Sequence, residues 1–295
     1  MLVALPGSYC LQKNTNMVIA KDNRLYEIDK NHKTLWEVKP IFAHHQLNAS
    51  EIDDSLLTMD SEYHKGDDGL LDRYDRLVVL NGSGRVIKSF SFRKYFKKMK
   101  IDPERWDNTW TLDGFQNDSF EKSHFNSFRE LYKTVDGKKI LTGYLANNNH
   151  QHKTYLLDEK LMKVVRELDF GKRKAHDVRQ YSETELVFFL NENKGEAEPR
   201  QSKIETYDLV TDEIKILYQS DKVKHVYSFC GSVQPLPRQR LFINYNKCSV
   251  KMKETIDGSY LEMVDLTSKK STVMRVPDWL IGNRIVVVDR IPTIL

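Results

Sequence analysis

Short runs in which apolar and polar residues alternate, each closed by a polar turn, recur along the chain. One unit consists of Met17-Val18-Ile19-Ala20, the turn Lys21-Asp22-Asn23, Arg24-Leu25-Tyr26-Glu27-Ile28-Asp29, the turn Asn31-His32-Lys33, and Thr34-Leu35-Trp36-Glu37-Val38. Period-two alternation joined by Asp, Asn and Lys turns predicts antiparallel hairpins. The clearest hairpin runs from Arg76–Leu80 through Asn81-Gly82-Ser83-Gly84 to Arg85–Phe90. Three more pairs follow: Thr154–Asp158 with Lys163–Leu168, Lys203–Asp208 with Glu213–Tyr218, and Tyr260–Asp265 with Ser271–Met274.

A second pattern lies upstream of these hairpins. His44-His45-Gln46-Leu47 precedes Leu56–Met59, and His124-Phe125-Asn126-Ser127-Phe128 precedes Lys139–Thr142. Lys174-Ala175-His176-Asp177-Val178-Arg179-Gln180 precedes Glu185–Asn191; Gly231-Ser232-Val233-Gln234 precedes Arg240–Asn244, with Ser in the place of His. Roughly 32–35 residues separate His45 from Leu80, His124 from Asp158, His176 from Asp208, and Ser232 from Asp265, which makes units of about 40–50 residues with four strands. That is the size of a propeller blade, and a sandwich does not return one residue class to one strand position four times. The expected fold is all-β: a single β-propeller domain over residues 1–295 with five to six four-stranded blades. The blades fall at about 8–40, 41–92, 123–169, 175–219 and 229–275, with a closing strand at 283–291. Residues 93–122 form an insertion too irregular for strands, expected as a loop with a short helix that has Pro103 in its first turn. Either Leu5–Gln12 joins the closing strand in a sixth blade, or part of the domain lies outside this sequence.

Composition adds exclusions. A hydrophobic content of 40% with 11% aromatics supports a core and argues against wholesale disorder. The net charge of +4 arises from 46 basic against 42 acidic residues, too mixed a balance to indicate a nucleic-acid partner. The most basic run, Arg93–Lys100, reads as a solvated helix or loop face. Three cysteines, Cys10, Cys230 and Cys248, match no zinc spacing and cannot all pair, which leaves a Cys230–Cys248 bridge open but no disulfide framework. No run approaches the roughly 18 apolar residues of a membrane span. Met1–Leu5 is too short and lacks the basic start of a signal peptide.

The first strand of a blade lines the central channel, so equivalent positions converge. His45, His124 and His176 are therefore expected to face one another, with Asn126, Ser127, Asp177, Ser232 and Gln234 as neighbours. Strand alternation sends Asp177 to the face opposite His176, where it holds local backbone rather than forming a dyad. Three imidazoles suit acid, base or nucleophilic chemistry near neutral pH. Neutral imidazole also binds zinc and copper well, but no carboxylate shares the register, and a metal-dependent lyase or hydrolase ranks last. No metal site is expected. His150 and His152, in the polar run Asn147–His152, read as loop residues, and His32, His64 and His225 as ordinary polar side chains.

The motifs His44-His45, His124-x-Asn126-Ser127, His176-Asp177-x-x-Gln180 and Gly231-Ser232-Val233-Gln234, with the closing Arg290-Ile291-Pro292, resemble the bacterial arylsulfate sulfotransferase family. The likeness runs from about residue 17 to residue 295. It implies a six-bladed propeller that moves a sulfuryl group from an aryl sulfate to a phenolic acceptor, with no cofactor and no nucleotide sulfate donor. His176 matches the nucleophile that becomes a sulfohistidine, and His45 and His124 match the histidines that bind sulfuryl oxygens and handle the phenol proton. Asn126, Ser127, Tyr144, Asn191, Ser232 and Gln234 complete the implied substrate-binding set. The chain departs from the family at Tyr144, where an arginine is usual, and at Gln46, where Asp is usual. Arg129, Lys172, Arg173 or Lys174 could replace that arginine. The resemblance further implies export to the periplasm or cell surface and small-molecule partners; the charge balance points to no nucleic acid, and a homodimer is the oligomer to test for. The alternative function is a propeller that has lost turnover and serves as a ligand-binding or protein-interaction module.

Overall fold

The turn residues between strands set the architecture. A computed structural model describes residues 8–11, 16–21, 24–39, 41, 43–107, 119–171, 173–193, 202–223, 231–245 and 259–276. The first sheet comprises β1 (Ser8–Leu11), β2 (Met17–Lys21), β3 (Arg24–Ile28) and β4 (Thr34–Val38), and the second contains β5 (His44–Ala49), β6 (Leu56–Lys65), β7 (Leu71–Leu80) and β8 (Val86–Ser91). After helix α1 (Phe92–Met99) come β9 (Trp106–Asp107) and β10 (Ser119–Glu121), then a third sheet of β11 (Phe125–Val135), β12 (Lys138–Asn148), β13 (Lys153–Leu157) and β14 (Val164–Asp169). The fourth holds β15 (Arg173–Gln180), β16 (Glu185–Asn193), β17 (Lys203–Asp208) and β18 (Ile214–Tyr218); the fifth holds β19 (Ser232–Leu236), β20 (Arg240–Tyr245), β21 (Ser259–Asp265) and β22 (Lys270–Val276). Each sheet is a meander in chain order, and the second is widened to six strands by β9 and β10. β1 pairs with β2, as the first strand of the first sheet.

One Asx residue starts the last turn of every sheet. Asp29 Oδ1 accepts the N–H groups of Asn31 and Lys33, Asn81 Oδ1 those of Ser83 and Arg85, and Asp158 Oδ1 those of Met162 and Lys163. Asp208 Oδ1 accepts from Val210 and Thr211, and Asp265 Oδ1 from Ser268. A short acceptor side chain folds the backbone back on itself, which is why Asp and Asn recur there. At Gly84 (φ +78°) the turn also demands glycine, because a Cβ would lie 2.6 Å from Trp36 Cε3. Trp36 lies across that turn and donates its indole N–H to Gly82 O at 3.0 Å.

The insertion differs from expectation. The helix begins at Phe92, well before Pro103, because Ser91 caps it by accepting the Lys94 N–H. Residues 101–105, including Pro103, are not helical. Phe92 and Phe96 are buried while the lysines face outward, the solvated basic face read from the sequence. Nor is the insertion free of strands: β10 lies parallel on β7, Ser119 opposite Leu71 and Glu121 opposite Arg73. Arg105 fastens it, pairing with Asp68 and, at 2.7 Å, with Asp72.

The described residues divide into two compact units, one running to Tyr144 and including Leu156–Arg166, the other comprising Leu145–Tyr155 and the residues from Glu167 onward. In the first unit Val18, Ala20, Leu25, Ile41, Leu47, Leu56, Val78 and Leu80 pack the first sheet on the second. In the second, Val187, Phe189, Ile204, Val233, Leu241, Ile243 and Tyr245 join the fourth sheet to the fifth. These are the inward members of the alternating runs. The closing strand at 283–291, Arg290-Ile291-Pro292, Cys230, Cys248 and His225 lie outside the described residues. Among those described, no helix is long and apolar enough to cross a membrane.

Candidate functional site

In the second unit the candidate chemistry centres on His176, placed by β15. The residue is 7% exposed, and Nδ1 lies 3.0 Å from Gly231 O, just ahead of β19. A carbonyl can only accept, so Nδ1 donates, and in the neutral ring Nε2 carries the lone pair. The next residue reaches the same strand. Asp177 Oδ2 accepts the Val233 N–H at 3.2 Å and the Arg179 Nε–H at 3.0 Å. His176 and Asp177 thus clasp the residues on either side of Ser232. Strand alternation would have separated them, but Asp177 adopts φ +51° and a bulge falls between His176 and Arg179. Asp177 does hold backbone, but that of β19, which His176 also reaches, rather than the local backbone expected. A third tie was not anticipated: Asn147 Nδ2 donates to Ala175 O at 2.8 Å, and Thr154 Oγ1 donates to Asn147 Oδ1 at 2.7 Å.

Gly231 has a steric reason to be glycine. A Cβ there would lie 2.1 Å from Cζ of Phe189, the residue paired with His176 across the ladder. Register also corrects the first motif. His176 pairs with Phe189, Ser232 with Asn244 and His44 with Met59, the same step from Leu186, Leu241 and Leu56 respectively. His44 rather than His45 therefore shares the ladder position of His176, because the bulge between His44 and Leu47 takes up one more residue than its counterpart in β15. The side chains of His44, His45, Lys174 and Asn191, and all of Lys172, lie outside the described part of the chain. Ser232 is partly exposed and Gln234 is buried.

In the first unit His124 stands just ahead of β11 rather than within it. Nδ1 lies 3.0 Å from Glu121 Oε2, a carboxylate brought by β10 from the insertion. The sequence pattern offered no carboxylate for these histidines because Glu121 lies outside the repeat. Glu121 Oε1 pairs with Arg73 Nη2. The Arg73 guanidinium is fully buried and also bonds Asp75 Oδ1 at 3.0 Å and Ser61 Oγ at 3.3 Å. Burial opposes its charge, but the carboxylates of Asp75 and Glu121 outweigh that and raise its pKa above the ordinary guanidinium value. Asp75 Oδ2 accepts the Ser123 hydroxyl at 3.0 Å and the Phe125 N–H at 2.8 Å. The Phe92 ring stacks on Phe125 at 3.9 Å. Asn126 and Ser127 follow on β11, both fully buried.

Tyr144 is buried, its ring packed 5.6 Å from that of Phe128. Its hydroxyl accepts a 2.9 Å hydrogen bond from Lys88 on β8, and burial holds its pKa above the usual tyrosine value. Of the cations considered in place of the arginine that the resemblance implies, Arg129 bonds Asn48 Oδ1 and Arg173 pairs with Glu205 at 3.1 Å. Arg179, beside Asp177 and one-fifth exposed, is a guanidinium near His176 that the motif pattern passed over. His150 and His152 lie in the β12–β13 turn, as expected, and His152 Nδ1 bonds Arg173 O at 3.1 Å.

No family model matches the chain, and no curated protein matches it. Solved structures do. The WD40 β-propeller domain of Doa1 is similar at a TM-score of 0.50 and 10% identity, covering 92% of this chain and 68% of that one. The GH74 xyloglucanase of Xanthomonas campestris is similar at 0.51 and 7%, covering 90% of this chain and 38% of that one. The fold is an all-β propeller of five described blades. Identities this low, to a WD40 domain and a xyloglucanase alike, carry the fold alone.

Proposed function

We propose that this propeller transfers a sulfuryl group from an aryl sulfate to a phenolic acceptor through a sulfohistidine on His176. The observation that carries the proposal is the buried imidazole with Nδ1 committed to Gly231 O. Nε2 is then the nucleophile and attacks sulfur. The N–S bond forms as the S–O bond to the aryl group breaks, and the phenoxide leaves with a proton from His124 or His45. The positive charge on the sulfated ring is stabilised at Nδ1–H by the Gly231 carbonyl. In the return step the acceptor oxygen attacks sulfur, the N–S bond breaks, and the acceptor proton passes to the base. Asn126, Ser127, Tyr144, Asn191, Ser232 and Gln234 are the proposed substrate contacts. The test is phenol release from an aryl sulfate in the presence of a phenol acceptor. His176→Ala is expected to abolish it and His64→Ala, at an exposed position on β6, to leave it unchanged. A folded wild-type chain that releases no phenol with any acceptor refutes the proposal.

A specific observation favours a second reading. Tyr144 replaces the family's arginine, and Arg129 and Arg173 are engaged by Asn48 and Glu205. With those two arginines engaged elsewhere, the propeller suits binding rather than turnover. Saturable binding of an aryl sulfate that is never consumed supports this reading over the first.

A further inference from the structure

We infer that Glu121 is a positioning residue for His124, and that the insertion serves to deliver it. The inference rests on the proposed role of His124 in carrying the phenol proton. The residues on both sides of His124 are pinned to β7, since the Ser123 hydroxyl and the Phe125 N–H both donate to Asp75. The ring itself is aimed by the bond between Nδ1 and Glu121 Oε2. A carboxylate only accepts, so that contact puts the proton of the neutral ring on Nδ1 and the basic lone pair on Nε2. The same carboxylate stabilises the imidazolium that forms when the ring takes up a proton. The other oxygen of Glu121 is held by Arg73, so the carboxylate cannot swing away without taking a partner from a buried guanidinium. Asp75 also pairs with Arg73, but it turns its second oxygen to Ser123 and Phe125. Glu121 arrives on a strand with parallel pairing to β7, and Arg105 and Lys122 lock the segment that carries it, Lys122 to Asp102 at 2.7 Å.

Glu121→Gln tests this in the full chain. Arg73 is donor-only, so it takes the carboxamide oxygen and turns the NH₂ toward His124. Nδ1 must then accept, and the ring adopts the opposite tautomer. In ¹⁵N-resolved imidazole spectra, His124 is expected to be Nδ1-protonated in the wild type and Nε2-protonated in the variant. With an aryl sulfate, kcat is expected to fall about 10–100-fold with KM nearly unchanged, and Glu121→Asp to recover part of the loss. An unchanged tautomer in a folded Glu121→Gln protein overturns the inference, as does a wild-type kcat. Glu121→Asp guards against a misfolded Gln variant: it keeps the charge and must keep the wild-type tautomer, and the Nε2-protonated form there overturns the inference as well. If the wild-type chain releases no phenol but the tautomer responds as stated, sulfuryl transfer fails while the assignment of Glu121 stands.

Discussion

Replacing Gly231 with alanine should cost far more than a methyl group at a strand end normally does. The added Cβ would sit 2.1, 2.2 and 2.4 Å from Cζ, Cε1 and Cε2 of Phe189. Carbon atoms pack at about 3.5–4.0 Å, so ring and backbone must part by more than roughly an ångström. Phe189 has little room to retreat: it is fully buried, edge-on to Tyr245 at 5.7 Å. The start of β19 must yield instead, drawing the Gly231 carbonyl from His176 Nδ1. Overpacking costs about 1–3 kcal/mol and a lost hydrogen bond to a buried group about 1 kcal/mol more. Equilibrium unfolding in urea should therefore show a loss of about 2–4 kcal/mol. Phe189→Leu removes the ring edge, so in a double-mutant cycle the two changes should couple favourably by about 1–3 kcal/mol. A Gly231→Ala protein within about 0.5 kcal/mol of wild type, or strictly additive costs in the cycle, refutes the steric account.

The turn carboxylates make an acid-side prediction. Backbone N–H bonds, from Lys33 to Asp29, Thr211 to Asp208 and Ser268 to Asp265, are the largest cause holding these pKa values below the ordinary Asp value. A depressed folded-state pKa contributes stability above the unfolded value and loses it as pH falls through the folded one. The triple variant Asp29→Asn, Asp208→Asn, Asp265→Asn keeps the acceptor oxygens without the titration, so its Tm should fall less steeply than wild type between about pH 4 and pH 2. Equal slopes would count against these turns. A second prediction concerns Glu262, fully buried, which accepts from Tyr218 at 2.8 Å, Ser220 at 3.0 Å and Tyr245 at 3.1 Å. Glu262→Ala should cost about 3 kcal/mol or more in unfolding, because buried hydroxyls lose their acceptor, and Tyr218→Phe only about 1 kcal/mol.

The hairpins were legible because alternation and Asx turns are local: Thr34–Val38 is β4 as read, and Asp29, Asn81, Asp158, Asp208 and Asp265 mark the same corner of each sheet. What escaped was non-local or one residue wide. Pro103 drew the helix too far along the chain, because a serine at position 91 is an N-cap only if the preceding strand ends there. The parallel docking of β10 on β7, which supplies Glu121, leaves no periodic trace in a three-residue strand. The bulges after His44 and His176 each shift register without changing the pattern of residue types. That is why the motif pattern singled out His45 and set Asp177 on the wrong face.

The clasp at His176 raises the question of whether this histidine is kept for strand attachment or for chemistry, and its two ring nitrogens let the roles be separated. Asparagine places an amide N–H close to where Nδ1–H lies and has nothing at the position of Nε2. His176→Asn should therefore preserve the bond to Gly231 O and unfold within about 1 kcal/mol of wild type. His176→Ala leaves a buried carbonyl without its donor and should lose about 1–3 kcal/mol. Both variants should be without sulfuryl transfer. If Asn destabilises as much as Ala, attachment does not run through Nδ1 and the tautomer argument loses its footing. If Asn keeps turnover while holding the fold, Nε2 is not the nucleophile and no sulfohistidine forms at this position.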